Sequence, residues 1–358
     1  MSPEFVSNEQ VILAARRNLA QGAWDYLVGG TESETTMRRN RHAFDRLAFR
    51  PRVLRDVSRL DPSGMLLGQR LRIPVLLAPI GSLQLFDPTG GVATVQAAAQ
   101  FGTIPVISSS TQPGLEETAA ASDGPKIFQL YVRGDDDWVA AILDRAKQAG
   151  YVALCLTCDT AVDSRRERPM ISSYVRPSRR VRFDPSYQAA LTWESMARIK
   201  EMAGLPFLLK GVATAEDAAL AVEHGVDVIW VSNHGGRQLD HALGTMDNLP
   251  EIVEAVAGRA QIVLDGGIQR GTDVIKAIAL GADAVAIGKL QGWGLAAGGV
   301  EGLVRVLELL ELEILSAMGL LGVCSLDQLD SSYVTRCEAV TPPHEMSSWP
   351  NIAGGRVL

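Results

Sequence analysis

A histidine and an arginine three residues apart, His234 and Arg237, follow the apolar run Val228 to Ser232, with Gly235-Gly236 between them. The two glycines permit a tight turn that aims both side chains inward. A planar guanidinium fork matches a carboxylate, and imidazole is the usual base near neutral pH. Together they specify an acid with a removable proton. A second cluster, Asp265-Gly-Gly-Ile-Gln-Arg-Gly271, precedes a helical pattern, and Ile287-Gly288-Lys289 ends the last apolar run. Glycines such as Gly267 and Gly288 let backbone N–H groups approach an anion next to a helix N-terminus, which is how phosphate is held. A phosphorylated cofactor fits this cluster.

The elements that must position these residues are short apolar runs, each followed by a helical pattern. Eight such strands are expected, at Val75 to Ala78, Ile104 to Ser108, Ile127 to Tyr131, Val152 to Thr157, Phe207 to Lys210, Val228 to Ser232, Ile262 to Asp265 and Ala284 to Gly288. Helices are expected over Asp136 to Ala149, Thr214 to His224, Thr272 to Leu280 and Val300 to Met318. Eightfold alternation of this kind predicts an α/β chain folded as a (β/α)8 TIM barrel, in which the carboxyl ends of the strands build the working face. Those ends carry Ala78-Pro79, Ser108, Gln129 with Tyr131, Thr157 with Asp159, Lys210, Ser232 with His234, Asp265 and Gly288-Lys289. So many polar groups converging on one mouth describe an active site.

Spacing between strands doubles after the fourth, so a lid of about residues 161–190 is expected there, carrying Arg176, Arg179, Arg180 and Arg182. Residues 1–70 read as a small helical appendage, with helices at Glu9 to Leu27 and Glu34 to Asp45, bordering a barrel of residues 71–358 within a single domain.

Bulk properties exclude several classes. Of 358 residues, 47% are hydrophobic and 21% charged, the balance of a compact chain able to bury a large core. A net charge of −7 argues against nucleic acid as a partner. No apolar run reaches the roughly 18 residues that would span a bilayer, so no membrane association is expected. The four cysteines imply no disulfide framework and point to a cytoplasmic location. Cys155 and Cys158 are spaced like metal ligands, but a strand turns them to opposite faces and the second pair is absent, so no metal is expected.

The segment Ser232-Asn-His-Gly-Gly-Arg-Gln238 resembles the fingerprint of the FMN-dependent 2-hydroxy acid oxidases and dehydrogenases. Trp24-Asp-Tyr26, Phe44 to Pro51, Leu77-Ala-Pro79, Phe128-Gln-Leu-Tyr131, Leu156-Thr-Cys-Asp159 and Leu209-Lys-Gly211 extend the resemblance over nearly the whole chain. It implies FMN at the barrel mouth, contacted by Ala78, Pro79, Ile80, Ser108, Gln129, Thr157, Lys210 and Ser232, with its phosphate near Asp265, Gly267, Gln269, Gly288 and Lys289. It implies His234 as base with Asp159 and Tyr131 as its catalytic partners, and a substrate carboxylate held by Arg237, Arg166, Tyr26 and Tyr131. It also implies oxidation of an L-2-hydroxy acid to the 2-oxo acid, with electrons passing to flavin N5 and then to oxygen or another acceptor, in a homotetramer. Hydride transfer and carbanion formation both stay open.

This chain departs from the family pattern in places. Gln269 and Lys289 stand where arginines are common, so bidentate phosphate recognition is reduced there. Gly81, Ser110 and Asp163 replace an alanine, a large aromatic and an apolar residue, which predicts a roomier, more polar pocket for a larger acid, one bearing an amino or hydroxyl group that Asp163 or Ser110 could meet. Two alternatives accompany this reading: another reaction on an FMN barrel, such as isomerisation, or a drifted barrel that binds FMN without catalysis.

Overall fold

Side-chain alternation sorts each apolar run into two faces. Leu76, Val106, Ile127, Cys155, Leu208, Trp230, Val263 and Ala286 belong to one buried cluster, while their sequence neighbours Leu77, Ile107, Phe128, Leu156, Leu209, Val231, Leu264 and Ile287 belong to another. The first cluster is a barrel interior and the second is the layer under a ring of helices. The computed structural model describes residues 5–177, 184–349 and 352. Its central sheet has eight parallel strands, β1 (Val75–Leu77), β2 (Val106–Ser108), β3 (Ile127–Leu130), β4 (Ala153–Thr157), β5 (Phe207–Val212), β6 (Val228–Val231), β7 (Gln261–Asp265) and β8 (Ala284–Ile287). Strand β8 returns to β1, and a bridge from Leu77 to Pro105 joins β1 to β2, so the TIM barrel expected from the sequence is formed.

The outer helices are α1 (Gly91–Phe101), α2 (Leu115–Ala120), α3 (Asp136–Gln148), α4 (Trp193–Ala203), α5 (Ala215–Glu223), α6 (Thr245–Val256), α7 (Gly271–Ala279) and α8 (Lys289–Leu321). Local chemistry starts several of them. The Asp135 carboxylate accepts from Trp138 N–H, Thr214 Oγ1 accepts from Asp217 N–H, and Thr192 and Ser195 cap each other reciprocally. Helix α8 is interrupted by non-helical backbone at Gly298 and Gly299, the latter at φ +58°. The expected Val300 to Met318 helix is its second half. The first half, rich in glycine, begins directly at the end of β8 and packs close to Leu27, where a β-carbon on Gly292 would stand 2.5 Å from Leu27 Cδ1.

The amino-terminal region, expected to be helical, differs in two respects: its first helix is broken, and Leu47–Phe49, Gly64–Leu66 and Gln69–Leu71 are strands. The predicted Glu9 to Leu27 helix is two helices, Asn8–Asn18 and Gln21–Val28, separated by extended backbone at Leu19 and Ala20. Leu19 is buried, and the break lets the second helix swing Tyr26 to the barrel mouth. A third helix, Thr35–Asp45, is stitched to the loop after β6: Asn40 and Asn233 exchange amide hydrogen bonds of 2.9 and 2.7 Å, and Asp240 accepts from Thr36 N–H at 2.8 Å. A hairpin, Gly64–Leu66 with Gln69–Leu71, places Leu66 and Leu71 in the interior cluster and floors the barrel. Strand Leu47–Phe49 pairs antiparallel with Val334–Arg336, joining regions near the two ends of the chain.

The segment after β4, expected as a lid, contains short helices at Glu167–Ile171 and Ser186–Ala189. Arg176 falls within the described residues, whereas Arg179, Arg180 and Arg182 lie outside them. No helix among the described residues is long and apolar enough to cross a membrane.

Candidate active site

Two residues above the uppermost apolar side chain of the interior, each strand supplies one further inward position. These positions are Ala78, Ser108, Gln129, Thr157, Lys210, Ser232, Asp265 and Gly288, one from each of the eight strands in turn. The period of two that builds the barrel core therefore also builds this ring. A cavity opens above it, walled by Ala78, Pro79, Ile80, Lys210, Asp265, Gly267, Gln269, Gly288 and Lys289, together with Tyr26, Tyr131, Arg166, His234 and Arg237. Ser108, Gln129, Thr157 and Ser232 lie buried beneath that wall.

Lys210 is the charged centre of the ring. Its Nζ lies 2.9 Å from Asp265 Oδ2 and donates to Ser232 Oγ at 2.8 Å, while Ser232 Oγ donates to Asp265 Oδ1 at 2.7 Å and Trp230 Nε1 to Oδ2 at 3.1 Å. Burial opposes a charge there, but Asp265 and Asp159 hold the ammonium above its ordinary range, so Lys210 remains a cation.

One layer higher, Nδ1 of His234 lies 3.0 Å from Asp159 Oδ1. Burial holds the imidazole below its ordinary range despite Asp159, with Lys210 and Arg166 acting in the same direction as burial. Burial would raise Asp159, yet the charge and hydrogen bond of His234, together with Lys210, keep it below the usual carboxylate range. Near neutral pH the pair is a neutral imidazole beside a carboxylate. With Nδ1 engaged, Nε2 is the nitrogen available for a proton. His234 holds φ +58°, and its N–H donates to Ser232 Oγ at 3.0 Å. Asp159 is set by a bulge in β5, where Gly211 at φ +113° passes so close that a β-carbon would meet Asp159 Cβ at 2.7 Å.

Arg237 ends on the helix Gln21–Val28: its Nη1 donates to Gly29 O at 2.7 Å and Leu27 O at 3.3 Å, and its guanidinium lies 5.1 Å from the Tyr26 ring centre. Free carbonyls at a helix C-terminus attract cations. Arg166 donates to Arg237 O, Ser164 Oγ and Gln238 Oε1, tying the segment after β4 to the His234 loop. Burial beside Arg237 and Arg176 pushes Arg166 down to about 9. Tyr26 donates to Gly81 O at 3.0 Å. Burial and the nearby Asp159 push Tyr131 up to about 12, which keeps its hydroxyl protonated.

At the other end of the cavity, Lys289 Nζ donates to Val28 O at 2.7 Å and touches Met37 Sδ, and burial beside Arg237 pushes it down to about 7. Gln269 Nε2 donates to Glu345 O at 2.6 Å. Gly267 is braced from below, because Arg41 donates to its carbonyl and forks onto Asp273 at 2.6 and 2.8 Å.

A flavin nucleotide fits the residues present. Both polar side-chain atoms of Gln129 and Thr157 Oγ1 are buried with no hydrogen-bond partner among the described residues, which is costly unless a ring edge bearing donors and acceptors meets them. A β-carbon at Gly288 would meet nothing within 4 Å, leaving bare backbone beside the Lys289 ammonium.

Reading the sequence alone misses some of the site. Arg133 lines the cavity, and its position two residues beyond Tyr131 on β3's line is the signal that could have found it. Glu345 also lines the cavity and pairs with Arg168 at 3.1 Å, in a tail whose docking no local pattern announces. Cys155 is buried and Cys158 is exposed.

Comparison with known proteins adds three findings. Residues 15–336 match the family described as FMN-dependent dehydrogenase. L-lactate oxidase of Nostoc sp. is 41% identical over 347 residues, 89% of this chain and 95% of that protein, and glycolate oxidase of Spinacia oleracea is 39% identical over 342 residues, 89% and 93% of the two. The crystal structure of mandelate oxidase superposes with a TM-score of 0.87 at 36% identity, covering 94% of this chain and 100% of that one.

Proposed function

Because the chain belongs to the family of FMN-dependent dehydrogenases, whose relatives oxidise 2-hydroxy acids, we propose that it oxidises an L-2-hydroxy acid to the 2-oxo acid with His234 as the base. The observation that carries this reading is the neutral His234 imidazole fixed by Asp159 in the same cavity as Arg166 and Arg237.

Bound FMN supplies the acceptor for two electrons, which the enzyme then passes to oxygen or another acceptor. Arg237 and Arg166 bind the substrate carboxylate, aided by Tyr26, and thereby fix which face of the carbinol carbon is presented. His234 Nε2 takes one proton, from the hydroxyl as hydride leaves or from the α-carbon itself, and both routes use the same base. The Asp159 carboxylate steadies the resulting imidazolium and holds the ring with Nδ1–H turned toward it. Tyr131, protonated throughout, donates to the substrate hydroxyl oxygen. Lys210 places a fixed positive charge under the site, where negative charge grows as the cofactor is reduced. Ala78, Pro79, Ile80, Ser108, Gln129, Thr157 and Ser232 would hold the flavin ring, and Asp265, Gly267, Gln269, Gly288 and Lys289 would lie toward its phosphate.

The test is to load the protein with FMN, mix it without oxygen with a panel of 2-hydroxy acids and follow absorbance near 450 nm, roughly where oxidised flavins absorb. Bleaching by any L acid is the expected result. A bound flavin that no member bleaches would overturn the reading.

A further inference from the structure

Strands β3 and β4 stop pairing just below the mouth, where Leu130 stands opposite Leu156. Alternation along a parallel pair makes Val132 N–H and Thr157 O the next donor and acceptor. That rung is not made between the strands. The neighbouring N–H groups serve other partners, Tyr131 N–H donating to Ser109 Oγ at 3.1 Å and Cys158 N–H to Lys210 O at 2.9 Å.

The side-chain amide of Gln188 is inserted at this place. Its Oε1 accepts from Val132 N–H at 2.8 Å, and its Nε2 donates to Thr157 O at 2.8 Å and to Thr160 Oγ1 at 3.3 Å. A backbone N–H can only donate and a carbonyl only accept, so these partners fix which end of the amide is which. Gln188 is buried, lies on the short helix Ser186–Ala189 and lines the cavity. The segment after β4 therefore returns to the barrel with a polar side chain that replaces a missing ladder bond.

The residues beside this inserted rung are the ones given chemistry above. Tyr131 directly precedes Val132 on one strand line. Asp159, which holds His234, lies between Thr157 and Thr160 on the other. A leucine at position 188 would fill a similar volume but leave a buried donor and a buried acceptor unpaired, so the two strand ends would shift to satisfy them.

We infer that Gln188 is a positioning residue: by bridging β3 and β4 past the end of their ladder, it sets where the Tyr131 hydroxyl stands relative to the Asp159–His234 pair. This rests on the reading of the cavity as a 2-hydroxy acid site. The substrate carboxylate is assigned to Arg166 and Arg237, which are held by Ser164, Gln238 and Gly29 instead, so loss of the bridge should fall on kcat.

The FMN-loaded wild type and Gln188→Leu are compared in flavin bleaching without oxygen, using the acid that bleaches the wild type fastest. Since a misplacement of about 1 Å can cost a hundredfold, kcat should fall by about tenfold or more, with KM changed less than about threefold. In a Tyr131→Phe background the same substitution should cost at least about threefold less, because part of what it disturbs is already absent. Gln188→Glu gives a second readout. Its protonated carboxyl offers both an acceptor and a donor, whereas the carboxylate accepts from Val132 N–H and repels Thr157 O. Burial raises the pKa of such a carboxyl, so kcat of Gln188→Glu relative to the wild type should climb as pH falls from about 8 to about 6. Should Gln188→Leu fail to hold flavin, Gln188→Glu carries the test alone. Wild-type kcat in Gln188→Leu, a loss confined to KM, an equal loss in the two backgrounds, or a Gln188→Glu ratio independent of pH overturns the positioning role alone. Failure of every acid to bleach the wild type overturns it together with the hydroxy-acid reading.

Discussion

His234 and Asp159 are joined through one ring nitrogen and one carboxylate oxygen, 3.0 Å apart, while the second oxygen of Asp159 has no hydrogen-bond partner among the described residues. Since burial holds His234 below its ordinary pKa of about 6.5, the base form prevails at neutral pH. The expected kcat/KM is flat around pH 7 and falls as pH drops through a value below 6.5, because protonation then removes the base. His234→Ala should retain flavin yet lose its reduction by substrate. Asp159→Asn should lower kcat by roughly 10²- to 10⁴-fold, as loss of a partner that orients and stabilises the base does elsewhere. Near wild-type reduction by either variant places the base elsewhere.

Gly211→Ala tests the same pair without altering a reacting group. The added carbon would sit 2.7 to 2.9 Å from Asp159 atoms, on a backbone at φ +113° that side chains rarely adopt. Asp159 must move, so kcat should fall by at least about tenfold while absorbance of the bound flavin persists, since a misplacement of about 1 Å can cost a hundredfold. An unchanged kcat would show that the carboxylate tolerates displacement.

The ring of eight inward positions was legible in the sequence because one rule, the period of two, governs both core and site. Asp265 and Lys210 fall on it as readily as Leu264 and Leu209 fall on the outer face. Legibility ended where contacts come from distant parts of the chain. The break that turns Tyr26 toward the mouth falls at Leu19 and Ala20 and not at Gly22, the one glycine of the expected helix, so no local breaker marks it. The bracing of Gly267 by Arg41, 226 residues away, leaves no local periodicity to read. Arg133 was readable in principle, by continuing β3's alternation past Tyr131 to where the strand itself has stopped.

Arg237→Lys should raise KM for the acid about tenfold. A lysine is a point charge that can reach the Gly29 carbonyl or a carboxylate, whereas the arginine fork is already anchored on Leu27 and Gly29 oxygens and keeps further donors for substrate. Steady-state kinetics across the acid panel checks this, and unchanged KM would remove Arg237 from carboxylate binding.

If the phosphate meets Lys289, as proposed, cofactor affinity should depend on pH. The free protein holds this ammonium at about 7, and a bound phosphate raises it, so binding takes up a proton above neutrality. The Kd for FMN should therefore rise with pH from 7.5 to 9, a range in which the phosphate is already fully ionised, its second pKa being about 6. Lys289→Met should bind FMN more weakly and lose most of that slope. Equal slopes in the two proteins would place the phosphate away from Lys289.

The pairing of Leu47–Phe49 with Val334–Arg336 ties the timing of assembly to synthesis. Tyr26 and Asn40 leave the ribosome before any barrel strand, but the strand that pairs with the segment following them, Val334–Arg336, is made only after all eight. Lys289 and the tail around Glu345 likewise emerge late. A nascent chain that has made Tyr26 and Asn40 but not yet Lys289 therefore has no finished mouth to offer a flavin.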